Sequence, residues 1–266
     1  MTDGLKKKVD FAVKLLQSIP TDDGPVEISY SGGKDSDVIL ELAKMAGIPY
    51  RTIYKCTTID PSGTIKHCKD IGAEVLKPEK TFFQLIQERG VPTRFTRFCC
   101  EYLKEYKVLD RAVQGIRRCE STKRAERYKE PEICRTYPKG QKARIYLPIL
   151  EWTDEDVAQF IAERGIKCHP LYYDEQGNFH VERRLGCIGC PLMSQKKRVA
   201  EFQKHPKLLK LWIRSQQIYI DNHPESKSAV FTNGSAFNSF FKELFCDNRE
   251  QYESYIGGGY IPRDSD

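Results

Sequence analysis

The 266-residue sequence has no apolar run near the ~18 residues that a membrane span requires, and its mean hydropathy is -0.57. A transmembrane helix is therefore not expected. Its start, MTDGLKKKVDFAVKLLQ, has basic residues but lacks the unbroken apolar stretch of a secretory signal, alternating charge with apolar positions at helical spacing. A soluble, cytoplasmic protein with no membrane partner is expected. An internal repeat is also lacking, which excludes a solenoid or propeller. What is present, 39% hydrophobic and 30% charged residues, excludes a fully disordered chain and leaves one sizeable core or a main domain with a smaller annex.

Ten cysteines would form a disulfide framework in a short secreted chain, but a long chain without a signal belongs in a reducing compartment. Some of them must then do chemistry or bind metal. Cys99-Cys100 and Cys187-x-x-Cys190 stand out by arrangement. Cys56, Cys68, Cys119, Cys134, Cys168 and Cys246 are scattered, and are expected to be ordinary buried thiols.

The net charge of +6 is uneven, since Arg94 to Arg144 carries 15 Lys and Arg against 7 Asp and Glu. A field of that sign suits a polyanion, either nucleotide phosphates or a nucleic-acid backbone, although a solvated helix face has the same composition.

Val9, Val13 and Leu16 predict an amphipathic helix over about 5–17, ended by Thr21-Asp-Asp-Gly-Pro25. Val26 to Tyr30 reads as a short buried strand, Ser31-Gly-Gly-Lys-Asp-Ser36 as a loop, and Val38, Ile39, Leu42, Ala43 and Ala46 as a helix stopped by Gly47 and Pro49. A strand over 50–58, a helix over 65–71 and a strand over 74–76 complete a βαβ spacing, hence a parallel sheet. Helices at about 81–89 and 101–110 and strands near 112–116 and 144–147 continue the alternation. Thr153 caps a helix running to about 163. Beyond Pro170 the texture changes to Lys- and Phe-rich helical stretches at about 194–221 and 235–246, then a loose tail from Ile256. The expected organisation is an α/β domain over 1–175 and a helical annex over 176–266.

A glycine pair directly after a strand and before a helix lets backbone amides close on an anion at the positive end of the helix dipole. Ser31, Ser36 and Lys34 add hydroxyl and ammonium donors. The spacing is not that of a Walker A loop. Strand-SGGKDS-helix resembles the pyrophosphate loop of the adenine nucleotide alpha hydrolase superfamily, a Rossmann-like fold. Further motifs follow in order: Thr57-Thr-Ile-Asp60, Gly115-Ile-Arg-Arg-x-x-Ser-x-x-Arg124, Leu147-Pro-Ile-Leu-x-Trp-Thr153 and His169-Pro-Leu-Tyr. Together with Ser29 to Ser36 they resemble the phosphoadenosine phosphosulfate (PAPS) reductase family over roughly residues 25–195.

That resemblance implies a nucleotide site in which Ser29, Ser31, Gly32, Gly33, Lys34, Asp35 and Ser36 hold phosphates and Thr58 and Asp60 edge the pocket. Arg117, Arg118, Ser121 and Arg124 would meet phosphate or sulfate oxygens, for which the planar guanidinium fork is suited. Lys34, Arg117 and Arg118 would stabilise charge on the departing group. If ATP is the substrate, Mg2+ should bridge its phosphates, with Asp35 and Asp60 as ligands by their oxygen chemistry.

Cys99-Cys100 and Cys187-Ile-Gly-Cys190 resemble the four ligands of the [4Fe-4S] cluster in the adenylylsulfate-using branch. Zinc competes as the metal, and plain thiols remain an alternative; adjacent cysteines favour a cubane, on which each thiolate takes a different iron. Lys104, Arg94 and Arg97 are the expected screening charges.

Reductases of this family carry a nucleophilic cysteine in a C-terminal Glu-Cys-Gly-Ile-His segment, and no segment here matches it. Cys246, in Leu-Phe-Cys-Asp-Asn, has no glycine or histidine beside it, and Asp247 would raise its pKa if anything. Three functions follow as expectations: chemistry at the ATP alpha-phosphate in sulfur transfer or nucleic-acid modification; reduction of adenylylsulfate or PAPS to sulfite with a thiol donor such as thioredoxin; or a non-catalytic nucleotide-binding subunit of a nucleic-acid complex. A homo-oligomer is left open.

Overall fold

The computed structural model describes residues 1–137 and 140–257. The chain divides into two compact units, the first made of Met1–Cys56, Asp60–Pro78 and Leu103–Gly186, the second of Thr57–Ile59, Glu79–Tyr102 and Cys187–Asp266. The expected boundary is at 175/176; in this division Glu79–Tyr102 groups with the C-terminal part.

In the first unit, helix α1 (Asp3–Gln17) begins at Thr2, whose hydroxyl accepts from Leu5 N–H, and buries Leu5, Val9, Ala12 and Leu16 on one face. Strand β1 (Val26–Tyr30) leads into α2 (Lys34–Ala46), which Gly47 ends in the left-handed conformation. Then come β2 (Tyr50–Lys55), α3 (Thr64–Asp70) and β3 (Glu74–Leu76). After α4 (Phe82–Arg89) and α5 (Phe98–Leu103), the chain continues through β4 (Arg111–Val113), α6 (Thr122–Arg127), β5 (Glu132–Thr136), β6 (Lys142–Tyr146) and α7 (Asp154–Arg164). Thr153 caps α7 as expected, and Asp156 completes a capping box with it.

The sheet order is β3-β2-β1-β4-β6-β5, all parallel except the antiparallel β5–β6 pair. The chain leaves β1 toward β2 on one side and returns as β4 on the other, so the carboxyl ends of β1 and β4 flank a topological switch point. Ligands of open α/β sheets bind at such a point.

In the second unit, α4 lies against α9 (Pro206–Asn222), with Phe82 and Trp212 ring centroids 4.7 Å apart. Helix α8 (Gln195–Lys204) adds Phe202, 5.3 Å from the same indole; α10 (Lys227–Phe231), α11 (Lys242–Phe245) and α12 (Arg249–Gly257) follow. No helix among the described residues is long and apolar enough to cross a membrane.

Four expectations need correction. The helix over 101–110 stops at Leu103, and Lys107 adopts φ 46°, which a right-handed helix forbids. The second strand ends at Lys55 and not at 58, because Thr58 turns the chain with φ 63°. Strand β5 has no counterpart in the expected elements. Of the six scattered thiols, Cys56, Cys68 and Cys168 are buried, but Cys119, Cys134 and Cys246 are exposed. Ile256 and Gly257 close α12, and the rest of the expected loose tail lies outside the described residues.

Candidate functional site

The loop after β1 is held open by its own side chains. Ser36 donates through both N–H and hydroxyl to the Gly33 carbonyl, at 2.8 and 2.6 Å, and the Ser31 hydroxyl lies 3.2 Å from that of Ser36. Gly33 is the N-cap of α2 and brings no side chain of its own to cap it. Gly32 has φ 77°, and a Cβ there would stand 3.1 Å from Thr64 and 3.2 Å from Leu185. A Cβ on Gly33 would meet the Tyr172 hydroxyl at 3.2 Å. Tyr172, from the His169-Pro-Leu-Tyr segment, receives the N–H groups of Lys34 and Leu185 and lies under the Lys34 ammonium; burial pushes its phenol up to about 12.

The turn after β4 approaches the same loop. A Cβ on Gly115 would sit 2.9 Å from the Asp35 carbonyl oxygen, so glycine permits this approach. Two residues on, Arg117 is 1% exposed, with Nε 2.8 Å from Asp35 Oδ1 and Nη2 2.7 Å from Asp154 Oδ1. Burial lowers its pKa, but Asp35 and Asp154 more than offset this and hold it above the usual arginine range. Lys34 Nζ takes the other Asp35 oxygen at 3.3 Å. The chain Lys34–Asp35–Arg117–Asp154 thus fixes two cations beside the loop while leaving Asp35 already ion-paired.

The remaining expected residues fall in different surroundings. Arg118 is committed to the Tyr128 and Lys129 carbonyls and to Glu151. Ser121 caps α6 by accepting from Arg124 N–H. Arg124 pairs with Glu120, whose second oxygen binds Arg184, a residue that sequence reasoning did not single out. Ser29 donates to Glu27 at 2.9 Å, on the opposite side of β1 from Tyr30. Asp60 faces the Tyr54 phenol, which burial and then this carboxylate push up. Thr58 belongs to the second unit, where its hydroxyl accepts from Phe82 N–H at 2.9 Å.

Behind the loop lies a polar network absent from the sequence reading. Tyr30 Oη donates to Asp37 and stands 2.9 Å from His67 Nε2, which is 3.3 Å from Asp37 Oδ1. Asp37, His67 and His169 are all buried.

The cysteine quartet lies wholly in the second unit. The Cys99 thiol is hydrogen-bonded with Cys100 and feels Cys187 and Cys190; with burial, these raise its pKa far above the ordinary thiol value. Gly189, at φ 72°, makes the turn between Cys187 and Cys190, and a Cβ there would stand 2.5 Å from Phe202. Its N–H donates to Glu201 at 2.9 Å. As it stands, no group of three or more His, Cys, Asp or Glu among the described residues is arranged to hold a metal ion. The donor set nevertheless fits an anionic thiolate-bound group, because Arg198 faces Cys190 with Nε and Nη2 buried and unpartnered, its guanidinium stacked on Phe240. Arg198 was not among the expected screening charges. Of those, Arg94 donates to the Leu192 and Met193 carbonyls and Lys104 falls in the first unit.

Residues 25–193 match the family model described as the phosphoadenosine phosphosulfate reductase domain. An uncharacterised protein of Methanocaldococcus jannaschii is 28% identical over 223 residues, covering 78% of this chain and 51% of that protein. Sulfate adenylyltransferase subunit 2 of Shewanella pealeana is 26% identical over 201 residues, covering 62% of this chain and 66% of its own. The solved PAPS reductase of Candida auris is 13% identical, covers 68% of this chain and 97% of its own, and superposes with a TM-score of 0.41, too low to inform the site. The chain spans about half the length of the Methanocaldococcus relative. With the matched stretch running from β1 past the second cysteine pair, the chain belongs to the PAPS reductase domain family.

Proposed function

We propose that the protein binds an adenine nucleotide on the Ser31–Ser36 loop and acts at the alpha-phosphate of ATP, releasing pyrophosphate in a sulfur-transfer or nucleic-acid-modification reaction. The observation that carries this reading is the glycine-led start of α2, with no cap from its own N-cap residue, beside two anchored cations, Lys34 and Arg117. Attack on the alpha-phosphorus breaks its bond to the bridging oxygen, and the departing pyrophosphate takes the negative charge. Backbone N–H groups at a helix start and a fixed ammonium lower the cost of that charge because they need no reorientation. Arg117 acts chiefly by holding Asp35, and through it Lys34, in place. Magnesium arriving with the nucleotide would draw on the carboxylates of Asp35, already ion-paired, and Asp60, which faces the Tyr54 phenol.

Cys99, Cys100, Cys187 and Cys190 would hold a [4Fe-4S] cluster, with Arg198 opposite its negative charge. Bound there, such a group supplies structural order or sulfur delivery. The name of the Shewanella relative, an adenylyltransferase subunit, supports chemistry at this phosphate and a partner subunit. Sulfonucleotide reduction is the second reading, favoured by the exposure of Cys246, which a thiol donor such as thioredoxin could reach.

Anaerobically purified protein offered ATP, adenylylsulfate and PAPS separately with a thiol reductant decides between them. AMP and pyrophosphate from ATP are expected, and abolished in Lys34→Ala. Sulfite from either sulfonucleotide, lost in Cys246→Ser, would replace the first reading with the second.

A further inference from the structure

The segment between α4 and the first cysteine pair carries an exposed aromatic that neither the fold nor the nucleotide site uses. Phe95 is 98% exposed at the tip of a tight turn. The turn is firmly built: Thr93 N–H donates to the Thr96 carbonyl at 3.2 Å, and the Thr93 hydroxyl accepts from Phe95 N–H and Thr96 N–H at 3.2 and 3.0 Å. The two threonine hydroxyls are 2.7 Å apart. Arg94 fastens the turn by donating to the carbonyls of Leu192 and Met193, at 3.2 and 3.0 Å. The ring is therefore held outward by hydrogen bonds on both sides of it.

Its surroundings are cationic and aromatic. Arg97 is exposed, and Arg89 stacks 4.7 Å over the ring of Tyr102, itself 37% exposed. From Arg89 through Tyr102 there are three arginines, Arg89 included, and one carboxylate, Glu101. A protein interface would need a broader apolar patch, whereas the exposed apolar surface here is the Phe95 ring, part of the Tyr102 ring and Leu192 beside the anchor. Flat π-faces among guanidinium groups match bases joined by phosphates.

We propose that the Thr93–Phe98 turn is a stacking platform for single-stranded nucleic acid, with a base on Phe95 and a backbone phosphate at Arg97. Arg94 is a positioning residue that keeps the turn in place. The platform goes beyond the ATP reading and is tested without ATP, so one can fail while the other stands.

The test is fluorescence anisotropy of labelled oligo-dT and oligo-U strands, and of a duplex, titrated with the anaerobically purified full chain over a range of salt. Binding to one or both single strands, weakening as salt rises, is expected. Phe95→Ala removes no buried contact and should weaken binding roughly tenfold. Phe95→Trp should retain affinity and show quenching of the new indole when a strand binds. Arg97→Ala should lower the slope of log affinity against log salt by about 0.7. The dT and U arms tell a DNA platform from an RNA one. Absence of strand binding at low salt, wild-type affinity in Phe95→Ala, or equal duplex binding indifferent to that substitution would each overturn the proposal.

Discussion

Gly115 is a single residue on which the approach of two strand ends depends. Its missing Cβ leaves the Asp35 carbonyl in place, and that carbonyl belongs to the residue that holds Lys34 and Arg117. Gly115→Ala should push the β4 turn off the loop, costing about 1–3 kcal/mol of stability by overpacking. ATP affinity, read by calorimetry, should fall at least tenfold, and an unchanged affinity would separate Gly115 from the site. Histidines give a second residue-scale prediction. Burial lowers the pKa of His169 below 6.5, so the unfolded chain takes up more protons there, and the stability it contributes is full above about pH 6.5 and lost as pH falls. The pKa of His180 is raised by Asp174 and then Glu182, so its contribution is present below about pH 6.5 and lost as pH rises. Because the His180 pair faces solvent, salt should erase its effect. Urea midpoints should therefore drop from pH 6.5 to 5 in the natural chain and fall less steeply in His169→Gln, at any salt concentration.

Among the elements, the turn around Gly189 is as exacting as the loop. It turns the chain between Cys187 and Cys190 and leaves no room toward Phe202. Gly189→Ala should therefore reduce the brown absorbance that the proposed cluster would give anaerobic protein, as Cys187→Ser should by removing a proposed ligand. Absorbance and iron content unchanged in Cys187→Ser would remove it from the ligand set. Elements were legible from sequence where local signals agree: the β1–loop–α2 unit by an apolar run and a glycine pair, α7 by its Thr153 cap. They were illegible where a distant partner decides. Among the described residues, edge strand β5 pairs only with β6, and its Glu-Ile-Cys-Arg-Thr carries no continuous apolar run. The residues of the loop were legible in the same way, but the ties from Arg117 to Asp35 and Asp154, the place of Tyr172 and the pairing of Arg184 with Glu120 join residues far apart in the chain. The basic stretch, seen as a free field, is partly spent on such pairs, including Arg135 with Glu105 and Arg144 with Glu132.

At the scale of the molecule, the second unit is assembled from three stretches of chain. A fragment ending at residue 186 would keep all six strands but leave Phe82, Leu85 and Ile86 of α4 without α9. That fragment should elute from size exclusion as aggregate, unlike the full chain. A monodisperse fragment would mean that α4 finds other cover.

The same split has a consequence in time. A ribosome adding roughly 5–20 residues per second makes α4 and then needs about 6–23 s more to reach α9. Throughout that interval the apolar face of α4 is finished and its cover does not yet exist. The sheet can form early, while α4 waits for α9 to be made, so expression at a slower elongation rate prolongs the period in which the newborn chain shows an uncovered apolar face.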